Sequence, residues 1–260
     1  MQRPENGRGS AGGRRFEILP DPSALPAEEL TETLFEEARE KMKEKAGVVF
    51  SIASENAPVA GCTLSKQVSE REGCAITHFS LAAGTDISPE TYEHPKLLVV
   101  HEGDIELTGL GGVEARAAAG DAVLAPAGRP TGVATEKGAV YTEIALTAQS
   151  RLGPGIEPAK PFALRHMLPV LPDRILNADL VRDPTLKFVV MSFGAGTGLS
   201  EHAAPGDALI LALEGDGVLG YEGKENPVKA GDAFKFAKNG RHWVKAPAPF
   251  KMGLLIELGA

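Results

Sequence analysis

Apolar and polar positions follow two regimes along the chain. Across residues 26–46, Leu30, Leu34, Ala38 and Met42 recur at every fourth position with Phe35 beside them, among glutamates and lysines. A period near 3.6 residues puts those side chains on one stripe, so the pattern predicts an amphipathic helix that Gly47 stops. The charged residues form its solvated face. The stripe is suited to docking on the sheet that follows or on a second copy of the chain. After Gly47 the helical period disappears, and short apolar or β-branched runs take over at 48–52, 75–81, 97–100, 104–108, 122–125 and 140–146. Turns rich in Gly, Pro and Asp separate them, as in an all-β sandwich or barrel. The same rhythm resumes at 187–193 and continues to residue 258.

The two β regions repeat each other. H-E-G-D-I-E-L at 101–107 answers L-E-G-D-G-V-L at 213–219, A-G-D-A occurs at 119–122 and 230–233, and A-A-G-T at 82–85 answers G-A-G-T at 194–197. Matched blocks in one order and at nearly constant offset mark a tandem duplication. The glycines after Glu102 and Glu214, and those of the A-G-D blocks, predict tight reversals between hydrogen-bonded strands. The chain therefore divides into a flexible tail at 1–15, a helical segment at 16–47, a first β-domain at 48–149, a proline-rich semi-rigid connector at 150–172 and a second β-domain at 173–260.

Composition and charge narrow the partners. With 260 residues and 43% hydrophobic content the chain can bury a full core. A formal net charge of -8 and the lack of a basic patch argue against nucleic acid and against an anionic membrane. No apolar run approaches the ~18 residues of a membrane span, and the arginines near the start precede no apolar stretch, so the expectation is a soluble, cytoplasmic protein. Cys62 and Cys74 lack a C-x-x-C spacing and read as reduced packing thiols. Serine-hydrolase, phosphate-loop and dinucleotide fingerprints do not occur.

Over nearly all of residues 48–258 the chain resembles the cupin superfamily, and specifically a bicupin. The family's first motif, G-x5-H-x-H-x3-E-x6-G, is met in the second half by Gly196, His202 and Gly215, and its second, G-x5-P-x-G-x2-H-x3-N, by Gly231 and His242. Ala204 and Ala208 stand where the family has its second His and its Glu, and Ala237 and Asn239 where it has Pro and Gly. In the first half Gly84, Gly103, Gly120, Pro126 and Gly128 keep the turns, while Glu90, Tyr92, Lys96 and Thr131 occupy the ligand positions. The run S-E-H-A-A-P-G-D-A at 200–208 is similar to that of short bacterial cupins. The resemblance implies an all-β fold of two tandem double-stranded β-helix barrels of the jelly-roll type behind the N-terminal amphipathic helix. Each barrel would carry a ligand cavity at its open end, and the two would pack as a pseudo-dimer.

In cupins with a complete set, three His and one Glu hold a transition metal, and its open positions bind substrate or oxygen. Here the resemblance points to a partial site in the second barrel, with His202 and His242 as ligands to a divalent ion (Zn, Ni, Mn or Fe). Strand alternation turns Ala204, Gly206 and Ala208 inward with His202 and leaves Asp207 outward. A bulge at Pro205-Gly206 would flip that parity and bring Asp207 in as the carboxylate of a 2-His-1-carboxylate site. The alanines are expected to open volume for a larger organic ligand. Trp243 alternates outward, toward a packing neighbour. The first barrel reads as degenerate and structural. Its Glu90, Tyr92 and Lys96 share one parity, either as an acid/base cluster or as an ion pair with a phenol. His94 and His101 stand off the ligand spacing, and His78 and His166 have no recognisable partner. Three function classes stay open: a metal-assisted enzyme on a small organic substrate, a metal-free small-molecule binder, and a structural partner acting through assembly, for instance as a homodimer.

Overall fold

The computed structural model describes residues 44–71 and 74–258. The predicted tail and most of the predicted helix lie outside the described residues. The last three positions of that helix are described and are not helical, since Ala46 bridges Lys235 of a strand far along the chain. Strand β1 (Val49–Phe50) follows, then one helical turn, α1 (Ile52–Glu55), whose first amide groups are capped by Ser51 Oγ accepting from Ser54 N. Next come β2 (Thr63–Arg71), β3 (Cys74–Leu81), β4 (Asp86–Thr91), β5 (Lys96–Gly109), β6 (Gly112–Ala118), β7 (Asp121–Ala125), β8 (Pro130–Ala134) and β9 (Ala139–Ala145). The segment between the halves carries β10 (Arg151–Leu152), β11 (Phe162–Ala163) and a 3-10 turn at Leu164–His166. The C-terminal half holds β12 (Ile175–Arg182), β13 (Leu186–Phe193), β14 (Thr197–Ala203), β15 (Asp207–Tyr221), β16 (Lys224–Lys229), β17 (Ala233–Phe236), β18 (Arg241–Ala246) and β19 (Phe250–Glu257).

Each half is a pair of antiparallel sheets that share one long strand. In the N-terminal half the order β11-β7-β5-β9-β3-β2 forms one sheet and β6-β5-β8-β4 the other. The C-terminal half repeats this with β17-β15-β19-β13-β12 and β16-β15-β18-β14. The glycines after Glu102 and Glu214 do adopt positive φ, 71° at Gly103 and 74° at Gly215, but they do not reverse the chain. They lie just past a register shift, between Val100 and Glu102 in β5 and between Ala212 and Glu214 in β15. Each is a bulge that bends one long strand out of the first sheet into the second. A side chain at either glycine would collide with a backbone carbonyl, of Gly138 or of Pro249. The A-G-D turns likewise join strands that are not partners: Gly120 N donates to Val100 O and Gly231 N to Ala212 O, both 2.9 Å, so each turn stays docked against the bulge.

Alternation along these strands fills three apolar clusters. Leu98, Val100, Ile105 and Tyr141 face the interior of the N-terminal half, and Ile210, Phe234, Phe236 and Phe250 that of the C-terminal half. The residues between them, Leu97 and Val99 on β5 and Leu209 and Leu211 on β15, meet Ile76, Ile144 and Phe188 in a third cluster that both halves share. Burial of each such side chain stabilises the fold by about 1.5–3 kcal/mol.

Two expected boundaries move. Residues 48–52 do not open the first β-domain, because β1 pairs with β17 of the C-terminal half, Val49 opposite Phe234 and Phe50 opposite Ala233. The stretch at 150–172, expected as a semi-rigid connector, is paired to both halves. β11 pairs with β7, Phe162 opposite Ala122, while β10 pairs with β12. The segment ahead of each half therefore adds a strand to the other half, and Phe50, Ile52 and Leu164 fall into the shared cluster.

A polar patch lies on the same face. Buried His78, opposite Thr142 in the β3–β9 register, has Nδ1 2.8 Å from Thr142 Oγ1, which is also 2.6 Å from His101 Nε2. Glu44 brings a carboxylate to within 3.6 Å of His78 Nε2 and accepts a 2.7 Å hydrogen bond from Lys66 Nζ. The expectation that His78 lacks a partner is thus corrected: its partners come from another strand and from the segment ahead of β1. Burial pushes His78 down to about 3 and His101 to about 4.

Two measurements follow. Gly215→Ala combines a left-handed backbone with a carbonyl clash, whereas Gly223, at φ 78°, has open space around it. Gly223→Ala is expected to cost about 1–2 kcal/mol and Gly215→Ala at least about 3 kcal/mol in urea unfolding. Because the folded pKa values of His78 and His101 lie below the ordinary 6.5, the unfolded chain binds more protons in acid. Stability is therefore complete above about pH 6.5 and falls toward pH 4, by up to about 1.4 kcal/mol per pH unit for each ring. His78→Gln should remove roughly half of that slope, read as unfolding free energy against pH.

Candidate functional site

The two histidines singled out from the sequence do meet. β14 and β18 pair from Thr197 to Leu199, slip at Ser200-Glu201, and pair again with His202 opposite His242. The ring centroids are 4.2 Å apart with an interplanar angle of 56°. His202 is exposed at the mouth of the C-terminal half, while His242 is buried and stacks on Phe236 at 4.1 Å. His242 shares the parity of Val244 and Ala246, both interior residues.

Both rings are held in one tautomer. His202 Nδ1 is 2.8 Å from Ser200 O and His242 Nδ1 is 3.0 Å from Gly240 O. A carbonyl only accepts, so each Nδ1 carries the hydrogen and each neutral ring keeps its lone pair on Nε2. Burial lowers the pKa of His242, with the nearby His202 acting in the same direction and the Gly240 carbonyl opposing, so this ring is neutral at pH 7.

Asp207 is engaged elsewhere. Its Oδ1 accepts from Lys238 N at 2.8 Å and its Oδ2 is 3.3 Å from Lys235 Nζ. Pro205-Gly206 lie in the bend between β14 and β15, the register slip of β14 falls earlier, at Ser200-Glu201, and Gly206 packs so tightly on the backbone of Glu257 that a side chain there would collide with it. Among the described residues no group of three His, Cys, Asp or Glu is placed to hold a metal ion. A divalent ion here would have two neighbouring imidazole nitrogens as its protein donors, with its other positions left to water or a ligand.

The alanines at 204 and 208 adjoin a packed interior. Both are buried, and the interior beneath the rings is packed by Phe193, Phe234, Phe236, Phe250 and Met252, each 1% exposed or less. Trp243 turns outward as alternation predicts, lies over Gly220, and has Lys245 Nζ 4.3 Å from its ring centroid. Glu201 also faces outward and pairs with Arg241 at 3.3 Å.

The N-terminal half carries a different chemistry at the matching place. Glu90 lies opposite Thr131 in the same register that sets His202 opposite His242. Glu90 is exposed, and its charge acts on the Tyr92 hydroxyl. Lys96 forms a 2.7 Å ion pair with Glu143 and sits 3.7 Å over the Tyr92 ring. Glu143 was missed in the sequence, although its alternation with Tyr141 inside an apolar run marks it as inward-facing. Among the described residues the buried Tyr141 hydroxyl has no hydrogen-bond partner, and burial raises its pKa well above the ordinary value, as it raises that of Tyr92. His94 Nε2 lies 4.0 Å from Glu93 Oε1. Among the described residues no helix is long and apolar enough to cross a membrane.

Comparison with known proteins agrees with this architecture. Residues 189–257 match the model of the cupin domain family. A cupin 2 conserved barrel domain protein from Leptotrichia buccalis superposes with a TM-score of 0.73 at 23% identity, covering 82% of this chain and 98% of that one. Salicylate 1,2-dioxygenase from Pseudoaminobacter salicylatoxidans, solved with gentisate adducts, superposes with a TM-score of 0.56 at 13% identity, covering 81% of this chain and 80% of that one. No curated protein matches the chain. Taken with the sheet order, these likenesses show an all-β cupin barrel fold, with the family's own domain in the C-terminal half.

Proposed function

We propose that the chain is a bicupin whose C-terminal barrel binds a divalent transition metal at its mouth through His202 and His242, leaving coordination positions open to a small organic ligand. The observation that carries this reading is the pair of Nδ1 hydrogen bonds, which leaves a lone pair on each Nε2 while the rings stand 4.2 Å apart. Carbonyl contacts of this kind fix the orientation of metal-binding imidazoles and raise their basicity. A bound ion would supply Lewis acidity toward a carbonyl or carboxylate oxygen. The chain's own residues hold the rings: the Ser200 and Gly240 carbonyls set the tautomers, and Phe236 backs His242 and keeps water from its inner face. Because the interior is filled, the ligand would sit on the rim. Asp207 takes no part in this reading, since its carboxylate is held by Lys235 and the Lys238 amide.

A second reading, in which the C-terminal barrel binds no metal and serves as a structural partner, is favoured by the phenyl-filled interior and the cluster shared between the halves. Calorimetric titration of the chelator-treated chain with Ni²⁺ and Zn²⁺ separates the two. The metal reading expects one saturable site, weakened about tenfold or more, about 1.4 kcal/mol, by His202→Ala and by His242→Ala. Absence of saturable binding, or binding that neither substitution weakens, rejects it in favour of the structural one.

A further inference from the structure

The cluster shared by the two halves is not closed everywhere. A cleft of about 230 Å³ opens between them, walled by matched residues: Val99 faces it from one half and Leu211 from the other, with Ile52 and Leu164 as a second such pair. Its ends are not matched. At one end His101 follows Val100, whose carbonyl accepts from Gly120 N, and Arg165 reaches over that glycine, its Nη1 3.2 Å from where a Cβ on Gly120 would stand. At the other end the equivalent positions hold Leu213, which follows Ala212 beside Gly231, and Ala53, which follows Ile52 as Arg165 follows Leu164.

The repeat thus gives the cleft one end with a cation and an imidazole, and another where Leu213 and Ala53 stand in their places. Among the described residues no carboxylate pairs with the Arg165 guanidinium, while its main chain is fixed by Lys251 Nζ donating to Arg165 O at 2.7 Å. His101 Nε2 is engaged by Thr142, which leaves Nδ1 as the ring atom that can meet a ligand, and burial keeps the ring uncharged near neutral pH. Asp232 lines the end opposite Arg165, where its carboxylate accepts from Lys229 N at 2.9 Å; its charge disfavours an anion there.

We propose that this cleft binds a small monocarboxylate with an apolar body, the carboxylate on Arg165 with His101 beside it and the body between Val99 and Leu211. A guanidinium offers a carboxylate two parallel N–H donors, and the apolar walls select against a purely polar anion. This site is independent of the imidazole pair at the C-terminal mouth.

The test is calorimetric titration of the whole chain, in excess chelator so that no metal contributes, with benzoate, hexanoate and the uncharged benzamide as probes. One saturable site for benzoate or hexanoate is expected, with benzamide about tenfold weaker or worse. Arg165→Gln, a change at an exposed side chain, should weaken the carboxylate about tenfold, and Leu211→Trp, which fills the cleft, should abolish binding while the circular dichroism spectrum stays that of the parent. Failure of both carboxylates to bind, equal affinity for benzoate and benzamide, or unchanged binding in Arg165→Gln would each overturn the proposal. Should Leu211→Trp fail to fold, the Arg165→Gln result decides alone.

Discussion

Two strands whose first halves have no solvent-facing side hold the molecule together. β5 and β15 each place alternate residues in different apolar clusters, Leu98 and Val100 in their own interior and Leu97 and Val99 in the shared one, with Ile210 and Ala212 against Leu209 and Leu211 repeating the arrangement. A strand buried on both faces reads as an unbroken apolar run, and that is how L-L-V-V and L-I-L-A-L stand in the sequence. The glycine bulge completes the constraint. Only after the strand bends can its remaining residues leave the first sheet and close the second over the interior.

This accounts for what the sequence disclosed. The repeated blocks, the β rhythm and the facing histidines were all readable, because each leaves a local mark: a run, a turn residue, a motif spacing. Gly103 and Gly215 were correctly read as positive-φ positions, yet a glycine motif does not separate a reversal from a bulge, since both need the same backbone conformation. The slip of β14 at Ser200-Glu201 was hidden, because it leaves no signature in residue type.

Other features were hidden because they are set by pairing at long range. A two-residue strand such as β1 or β11 has no period to detect, so its partner in the opposite half could not be named. The link from His78 through Thr142 to His101 needs the register of β3 against β9 and of β9 against β5. The filled interior was missed for a related reason: Phe193, Phe234, Phe236 and Phe250 come from separate strands, and only the closed fold puts them beneath one pair of rings. At the mouths, the two halves have kept one register and changed its chemistry, imidazole pair in one and an ion pair under a phenol ring in the other.

The traded strands also govern how the halves are bound to each other. A polypeptide holding a single repeat could complete its sheet only by borrowing the missing strand from another molecule, at whatever concentration that molecule was present. Joining two repeats through residues 150–172 makes the lender and the borrower one chain, so the local concentration of the incoming strand is set by tether length and no longer by expression level. Assembly that would otherwise be second order becomes a property of each molecule by itself.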